Sequence, residues 1–249
     1  MKNSKLEFWL EEEKASFLGW DFSYLDDRWK MDELPWSYFQ MVKKHLSPKH
    51  NLLDMGTGGG EYLLNFSHPY NKTSVTEGYL PNYRLCKSRL EPLGVKVKFC
   101  DDKVLPFDDK SFDIVINRHE SFKLEEVFRI LKPGGYFITQ QVGSMNNYKL
   151  SEFILNRPHF ERKENTLSHN LKTAKEIGFL IENSDEIYAK LKFFDIGALV
   201  YYAKIIQWEF PGFSVMKHED KLIELDRNLS ENGFVESIEH RYFMVLKKP

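Results

Sequence analysis

Short apolar runs alternate with helical patterns between residues 51 and 143 of the chain. The runs, which predict buried strands, are NLLDM, TSVTE, VKVKFC, FDIVIN and YFITQQV. Between them lie EYLLNF, NYRLCKSRL and LEEVFRIL, in which apolar residues recur at helical spacing. Strands that alternate with helices pair in parallel through βαβ crossovers, so the pattern predicts an α/β core around a parallel sheet.

The connections between these elements indicate how the sheet is wound. Residues 106–112, PFDDKSF, form a polar turn with no room for a long crossover helix, so the second part of the sheet is expected to be wound differently. The helix at 122–131 ends at Lys132-Pro133-Gly134-Gly135. There the lysine suits the negative end of the helix, the proline stops it and the glycines allow a positive φ.

The chain on either side of this core has a looser pattern. Residues 1–45 are rich in aromatic and charged side chains and are predicted to form a helical N-terminal extension. Residues 46–249 are interpreted as one domain, with its core at 50–143 and a lid insertion at about 193–232. Beyond residue 150, helices are predicted near 169–178, 195–208 and 217–231, and strands near 179–191 and at the terminal HRYFMVLKK.

Composition and charge disfavour several kinds of protein. The 249 residues are 42% hydrophobic and 15% aromatic, which is enough for a packed globular core. A formal net charge of −2 provides no positive field for a phosphate backbone or an anionic membrane, so a nucleic-acid partner is disfavoured. Cys86 and Cys100 have neither the density of a disulfide scaffold nor the paired spacing of a zinc site, and no metal is expected.

No targeting signal is readable in the sequence. The first residues, MKNSKLEFWLEEEK, turn acidic where a secretory signal would need an apolar stretch. The most apolar segment, residues 193–208, is too short to cross a bilayer and carries Asp195 and Lys204. A cytoplasmic location without a membrane partner is therefore expected.

A glycine-rich loop, Asp54-Met55-Gly56-Thr57-Gly58-Gly59-Gly60, follows the first strand of the core and precedes a helix that starts near Glu61. Backbone N–H groups of the loop and of the helix N-terminus converge on one spot, and glycine lets a ligand approach the backbone closely. A dinucleotide site would need glycine where Glu61 stands, because a carboxylate there would repel a pyrophosphate. A ligand with a sulfonium and an ammonium group avoids this repulsion, so the loop favours S-adenosylmethionine.

Acidic residues end the next two predicted strands. Glu77 stands roughly 20 residues after the loop, where a carboxylate accepts hydrogen bonds from ribose hydroxyls. Asp101 and Asp102 follow the strand that ends at Cys100 and offer an acceptor for an exocyclic adenine amine. Because the carboxyl ends of parallel strands meet at one edge of a sheet, these groups are predicted to surround one nucleoside. The alternative for Glu77 is an ordinary acid at a strand end.

Four motifs occur in a fixed order along the core. They are LLDMGTGGG at 52–60, Glu77, DDKVLPFDDKSFDIV at 101–115 and RILKPGGYFI at 129–138. Through them the chain resembles the class I S-adenosylmethionine-dependent methyltransferases, especially the type 11 methyltransferase domain, over about residues 50–143. The resemblance implies a Rossmann-like, doubly wound α/β fold with a mostly parallel sheet and an antiparallel final strand, carrying the helical extension and the lid insertion.

The resemblance also implies roles for individual residues in binding S-adenosylmethionine, whose product is S-adenosylhomocysteine. The methionine part is matched by Asp54, Gly56, Thr57, Gly58 and Gly60, the ribose by Glu77 with Gly78, the adenine edge by Asp101 and Asp102, and the sulfonium region by Asn117. The family commonly has Asp, an apolar residue and Ser after the second strand, whereas this chain has Glu77-Gly78-Tyr79. Tyr79 is therefore expected to cover the adenine ring.

The methyl acceptor is expected beyond the carboxyl ends of the strands, where Arg118-His119-Glu120 follows FDIVIN and where Gln140 and Gln141 lie in YFITQQV. His119 is the candidate general base, and Glu120 is expected to orient it or to bind a cationic acceptor. The alternatives are a hydrogen-bonded loop residue for His119 and a partner of the helix dipole for Glu120. The aromatic residues expected in the lids are Trp20, Trp29, Trp36, Tyr201, Tyr202, Trp208 and Phe213, with packing against the fold as the alternative for each.

Several functions fit these observations. A methyltransferase acting on a small molecule is favoured. An RNA or DNA methyltransferase is disfavoured by the charge and because residues 117–120 lack the Asn/Asp-Pro-Pro-aromatic signature of amino-group nucleic-acid methyltransferases. A protein that senses S-adenosylmethionine without turning it over would have the same cofactor residues, and a nicotinamide oxidoreductase is the third alternative.

Overall fold

The chain divides between two units in the computed structural model, which describes residues 2–17, 21–100, 104–158 and 163–249. The larger unit consists of Pro35–Gly143, Lys163–Glu186 and Arg241–Pro249, and the smaller unit of Met1–Leu34, Ser144–Arg162 and Ile187–His240. The predicted division into residues 1–45 and 46–249 follows other boundaries and stays a prediction.

The described helices and strands follow the predicted alternation. The helices are α1 (Lys2–Lys14), α2 (Tyr38–His45), α3 (Glu61–Leu64), α4 (Leu80–Leu90), α5 (Leu124–Ile130), α6 (Tyr148–Leu155), α7 (Leu167–Ile177), α8 (Ile196–Ile205) and α9 (Glu219–Asn232). The strands are β1 (Trp29–Met31), β2 (Leu52–Met55), β3 (Thr73–Glu77), β4 (Lys96–Phe99), β5 (Phe112–Arg118), β6 (Leu131–Val142), β7 (Leu180–Phe193) and β8 (Val235–Lys247). The short strand β1 lies in the N-terminal segment predicted as helical, and α6 has no counterpart in the prediction.

The larger unit is built around a sheet in the order β7-β8-β6-β5-β2-β3-β4. Strands β2 to β6 pair in parallel, whereas β8 runs antiparallel to β6. The polar turn after β4 leads into β5, which pairs with β2 rather than with β4, so the winding changes there as predicted. The mostly parallel sheet with an antiparallel final strand is thus confirmed.

Two hydrophobic clusters form the core of the larger unit. Leu53 and Met55 of β2 belong to one cluster and Leu52 to the other, because side chains alternate between the two faces of a strand. The first cluster includes residues of α5 and α7, and the second includes residues of α2, α3 and α4. Helices therefore cover both faces, which is why β2 is buried along its whole length.

The turns that precede β5 and β6 are held in place by side chains near the end of α5. The Arg129 side chain of α5 donates hydrogen bonds to the carbonyl oxygens of Leu105 at 3.0 Å and Phe107 at 2.8 Å, which ties down the turn before β5. Lys132 binds the Asp113 carboxylate at 2.7 Å, rather than the end of the helix. A Cβ at Gly135 would lie 2.9 Å from the carbonyl oxygens of Asp113 and Lys132, so this position requires glycine.

In the smaller unit, β1 pairs antiparallel with the second part of β7, Trp29 lying opposite Phe193. Its core takes up several aromatic residues expected in a lid, since Tyr201 and Tyr202 are buried and Trp29 packs against them, while Trp208 is exposed. Trp20 lies outside the described residues. Trp29, Tyr201 and Tyr202 therefore pack against the fold, which was the alternative to a role in a lid. Closure of the segment as a whole over the site stays a prediction.

Within the described ranges, no helix has the length and apolar character needed to cross a membrane.

Candidate functional site

The glycine-rich loop joins β2 to α3 in the larger unit. Gly56, Gly58 and Gly60 have φ angles of +65°, +61° and +83°, a region that residues with a Cβ rarely adopt. The Thr57 N–H donates to the carbonyl oxygen of Thr76 at 3.1 Å, which fixes the loop against the end of β3. Helix α3 spans only Glu61–Leu64, so the loop's own N–H groups contribute more to this site than the helix N-terminus expected from the sequence.

Two of these glycines form a matched pair for a test of the loop. We expect Gly60→Ala to destabilise the protein by about 1–3 kcal/mol more than Gly58→Ala in urea denaturation. Both substitutions place an alanine at positive φ, but a Cβ at Gly60 would lie 2.7 Å from Leu90 Cδ1, whereas nothing lies within 4 Å of a Cβ at Gly58. Equal losses for the two variants would contradict this contact.

Asp54 lies one residue before the end of β2, with its carboxylate buried beside Thr57 of the loop. Its side chain is 9% exposed and accepts a hydrogen bond from Thr57 Oγ1 at 2.7 Å. Burial raises the pKa of Asp54 to about 7, although the Thr57 hydrogen bond and the charge of Arg118 oppose this shift. A carboxylate desolvated in this way is stabilised by an ammonium group beside it, as the predicted contact with a methionine part requires.

Glu77 ends β3 beside the loop, at the position expected for a ribose-binding acid. It is 4% exposed, and its two carboxylate oxygens accept the N–H groups of Gly58 and Tyr79, each at 2.8 Å. Burial raises the pKa of Glu77, the two N–H groups oppose this, and the negative charge of Glu120 adds to it. Each oxygen keeps a second lone pair for a ligand hydroxyl.

Glu120 lies against the glycine-rich loop rather than against His119. A Cβ at Gly56 would collide with the Glu120 side chain, so the two residues are in close contact. The Glu120 carboxylate accepts hydrogen bonds from Ser121 N at 2.8 Å and from Ser121 Oγ at 3.1 Å. The expectation that Glu120 orients His119 is therefore wrong, because the carboxylate of Glu120 is hydrogen-bonded to Ser121 instead.

Glu61 also has a different role from the one expected. Its carboxylate forms an ion pair with Arg89, which also donates to the Gly59 carbonyl oxygen at 2.5 Å. Because Arg89 pairs with the negative charge of Glu61, the Glu61 carboxylate would repel a pyrophosphate less strongly than the sequence suggested. Three other carboxylates, those of Asp54, Glu77 and Glu120, surround the loop and disfavour an anionic ligand more strongly.

Asn117, expected in the sulfonium region, is fully buried in a polar network at the ends of β5 and β6. Its Oδ1 accepts hydrogen bonds from Gln141 Nε2 at 2.5 Å and Thr139 Oγ1 at 3.1 Å, and its carbonyl oxygen accepts one from the Tyr38 hydroxyl at 3.1 Å. Gln141 also donates to the carbonyl oxygen of Glu120 at 3.1 Å. Within the described residues, Asn117 Nδ2 is buried without a hydrogen-bond partner.

His119 is linked to Gln140, one of the two predicted acceptor-side glutamines. The His119 N–H donates to the Gln140 carbonyl oxygen at 2.8 Å, and Gln140 Nε2 lies 3.1 Å from His119 Nε2. Gln140 Oε1 in turn accepts the indole N–H of Trp36 at 2.9 Å. His119 is exposed, yet the surrounding protein desolvates the ring and lowers its pKa well below the ordinary value, with Arg241 and Arg118 adding to this shift.

Three aromatic residues near the site have roles that the sequence did not predict. The Arg118 guanidinium lies 3.8 Å from the centre of the Tyr62 ring, a cation–π contact that holds an exposed positive charge at the end of β5. Tyr38 binds the end of β5 from helix α2, and Trp36, expected in a lid, contacts Gln140. The aromatic residues before β2, which include Trp36 and Tyr38, are visible in the sequence. Which residues they contact depends on the tertiary structure, so the sequence does not predict these contacts.

The remaining predicted cofactor residues lie around Glu77. Tyr79 is 64% exposed at the start of α4, as a residue that covers an adenine ring would be before the ligand binds. Gly78 connects it to Glu77. Asp101 and Asp102 lie outside the described residues, so the predicted contact with the adenine edge stays a prediction.

Comparison with known proteins identifies the fold and a methyltransferase domain within the chain. Residues 53–139 match the family model described as a methyltransferase domain. The phthiotriol/phenolphthiotriol dimycocerosates methyltransferase of Mycobacterium tuberculosis is 40% identical over 87 residues, which is 32% of this chain and 32% of the relative. The ubiquinone/menaquinone biosynthesis C-methyltransferase of Cupriavidus pinatubonensis is 30% identical over 112 residues, which is 40% of this chain and 46% of the relative. The matches thus span a third to a half of these relatives.

A solved structure, that of the YcgJ protein of Bacillus subtilis, has the same fold. It aligns with a TM-score of 0.58 and 20% identity and covers 85% of this chain and 97% of its own. The strand order, the antiparallel final strand and the glycine-rich loop define the class I methyltransferase fold. Residues 53–139 of the chain thus match a methyltransferase domain, and the solved structure shows that the chain has the corresponding fold.

Proposed function

We propose that this protein binds S-adenosylmethionine at the carboxyl ends of β2, β3 and β5 and transfers the methyl group to a small-molecule acceptor. The observation that carries the proposal is the set of three carboxylates, Asp54, Glu77 and Glu120, around the glycine-rich loop. These groups attract a ligand that carries sulfonium and ammonium charges, and they repel the pyrophosphate of a dinucleotide.

The residues of the loop and of the strand ends fit this cofactor. The space that a Cβ at Gly58 would fill is open, so a ligand can approach the backbone there. Glu77 is held by two backbone N–H groups and offers its remaining lone pairs to the ribose hydroxyls, and Asp54 offers a desolvated carboxylate to the ammonium group. When bound, the cofactor supplies an activated methyl carbon, and the chain contributes position and charge.

A small-molecule acceptor is supported by the charge of the chain and by its relatives. The net charge of −2 gives no positive field for a nucleic acid. The two relatives described above are named for phthiotriol and phenolphthiotriol dimycocerosates and for ubiquinone and menaquinone biosynthesis, and neither name refers to a nucleic acid. Arg118 and Gln140, at the ends of β5 and β6, are the residues proposed to face the acceptor.

Calorimetry and a transfer assay test the proposal separately. We expect S-adenosylhomocysteine to bind and NAD to leave the calorimeter signal unchanged. In the transfer assay, the protein is incubated with methyl-labelled S-adenosylmethionine and fractions of a metabolite extract, and we expect label in a small organic product. Tight NAD binding without S-adenosylhomocysteine binding would overturn the cofactor assignment. Cofactor binding without transfer of label to any fraction would favour a protein that senses S-adenosylmethionine without turning it over. Label in RNA would favour a nucleic-acid methyltransferase.

A further inference from the structure

His119 has an uncommon backbone conformation at the end of β5. Its φ is +66°, a left-handed conformation that is unfavourable for a residue with a Cβ. The N–H donates to the Gln140 carbonyl oxygen at 2.8 Å, which stabilises this conformation. Strained residues of this kind persist where surrounding contacts hold them, and they cluster at functional sites.

The contacts of Gln140 determine which nitrogen of His119 carries the proton. An indole N–H can only donate, so the Trp36 contact at 2.9 Å identifies the accepting atom of the Gln140 amide as its oxygen. The Gln140 amide nitrogen, which can only donate, then faces His119 Nε2 at 3.1 Å. His119 Nε2 must therefore accept this hydrogen bond, which places the proton of the neutral ring on Nδ1.

This arrangement leaves a single polar atom of the ring available to a ligand. The lone pair of Nε2 is occupied by the Gln140 N–H, so the ring is a poor proton acceptor as it stands. Within the described part of the chain, Nδ1 forms no hydrogen bond, and His119 is exposed at the end of the sheet. The available atom is thus a hydrogen-bond donor.

We propose that His119 donates a hydrogen bond through Nδ1–H to an oxyanion of the methyl acceptor, and that Gln140 and Trp36 are positioning residues that fix this tautomer. The identity of the ligand as the methyl acceptor rests on the proposed function. An anionic oxygen is the favoured class because the charged groups that act on the ring are positive, namely Arg118 on β5 and Arg241 on β8. In this role His119 binds and orients the acceptor, and the function of general base expected from the sequence does not apply.

The tautomer can be measured on the full-length protein without a cofactor. We expect long-range ¹H–¹⁵N correlation spectra of histidine-labelled protein at neutral pH to show a protonated Nδ1 for His119, assigned by comparison with His119→Asn. In Gln140→Glu, the new carboxylate accepts from both Trp36 and the ring, so the proton should move to Nε2 and the pKa of His119 should rise. In Trp36→Phe the amide is free to turn, and a mixture of the two tautomers is expected.

Trp208→Phe is the matched control, because Trp208 is an exposed tryptophan of the smaller unit and this substitution should leave the His119 signals unchanged. A protonated Nε2 in the unmodified protein would overturn the proposal. So would a Gln140→Glu spectrum with the proton still on Nδ1. These outcomes do not depend on cofactor binding, so they are separate from a failure of the proposed function.

The ligand class is tested with benzoate and benzylamine, which share a ring and differ in charge. In the presence of S-adenosylhomocysteine, we expect benzoate to shift the His119 Nδ1 signal and benzylamine to leave it unchanged. Benzoate should bind about tenfold more weakly to His119→Ala, as expected for the loss of a hydrogen bond to a charged group. A shift with benzylamine alone, no shift with either probe, or equal benzoate affinity in the variant would overturn the assignment of an oxyanion.

Discussion

Glu77→Ala is expected to weaken the binding of S-adenosylhomocysteine by about 1–3 kcal/mol, roughly a 5- to 150-fold rise in Kd. The substitution removes the proposed acceptor of the ribose hydroxyls. It also leaves the N–H groups of Gly58 and Tyr79, each now bound at 2.8 Å, without their partner. Isothermal titration calorimetry measures the effect directly.

Glu61→Ala is the matched control for this experiment. Glu61 borders the same loop, but its carboxylate is exposed and paired with Arg89, so its removal should change the Kd by less than about threefold. Glu77→Gln keeps the shape of the side chain and removes only its charge. Its Kd therefore distinguishes the effect of losing the carboxylate from the effect of a collapsed loop. Unchanged affinity in a folded Glu77→Ala protein would remove Glu77 from the binding site.

Asp54→Asn is expected to stabilise the ligand-free protein while it abolishes tight cofactor binding. The pKa of Asp54 is about 7 in the folded protein, against about 3.9 in an unfolded chain. Between these two values the unfolded chain releases a proton that the folded protein keeps, so wild-type stability falls as the pH rises. An asparagine does not ionise, and its amide oxygen can still accept from Thr57. The gain should therefore grow from pH 4 to 7 and reach on the order of 2–4 kcal/mol.

Urea denaturation at pH 5, 6, 7 and 8 measures this gain, and Asp113→Asn provides a control of opposite sign. Burial raises the pKa of Asp113, but hydrogen bonds from Lys132 and from the Asn51 N–H outweigh it and lower the pKa below its ordinary value. Asp113→Asn should therefore lose stability at pH values above the unfolded pKa. A constant difference between wild type and Asp54→Asn across the pH range would refute the raised pKa of Asp54.

The sequence predicted the sheet well because its signals are local. Strands β2, β3 and β5 are short apolar runs whose neighbours in the chain are helices or glycine-rich turns, and the parallel pairing follows from that alternation. The change in winding was readable because the turn before β5 is short. Strand β1 was missed, since three residues in an aromatic segment carry little periodicity, and it pairs with a strand far along the chain.

The site was predicted less completely, because side-chain partners are set by tertiary contacts. The strand-end positions of Asp54 and Glu77 follow from the chain order alone. The partner of Glu61 lies in α4 and that of Gln140 precedes α2, and no pattern in the sequence relates these pairs. Gln140 holds His119, a role that the sequence analysis gave to Glu120, whereas Glu120 lies against Gly56.

The contact between Gly56 and Glu120 has a consequence for how this sequence can evolve. The space beside the Gly56 backbone is filled by a side chain that follows β5, so position 56 cannot take a larger residue while Glu120 is in place. The φ of +65° at Gly56 favours glycine as well, whatever the space beside it. Position 120 can become smaller, but that change removes one of the three carboxylates around the loop without releasing position 56 from its backbone conformation. A lineage can therefore lose the acid and is still expected to keep the glycine.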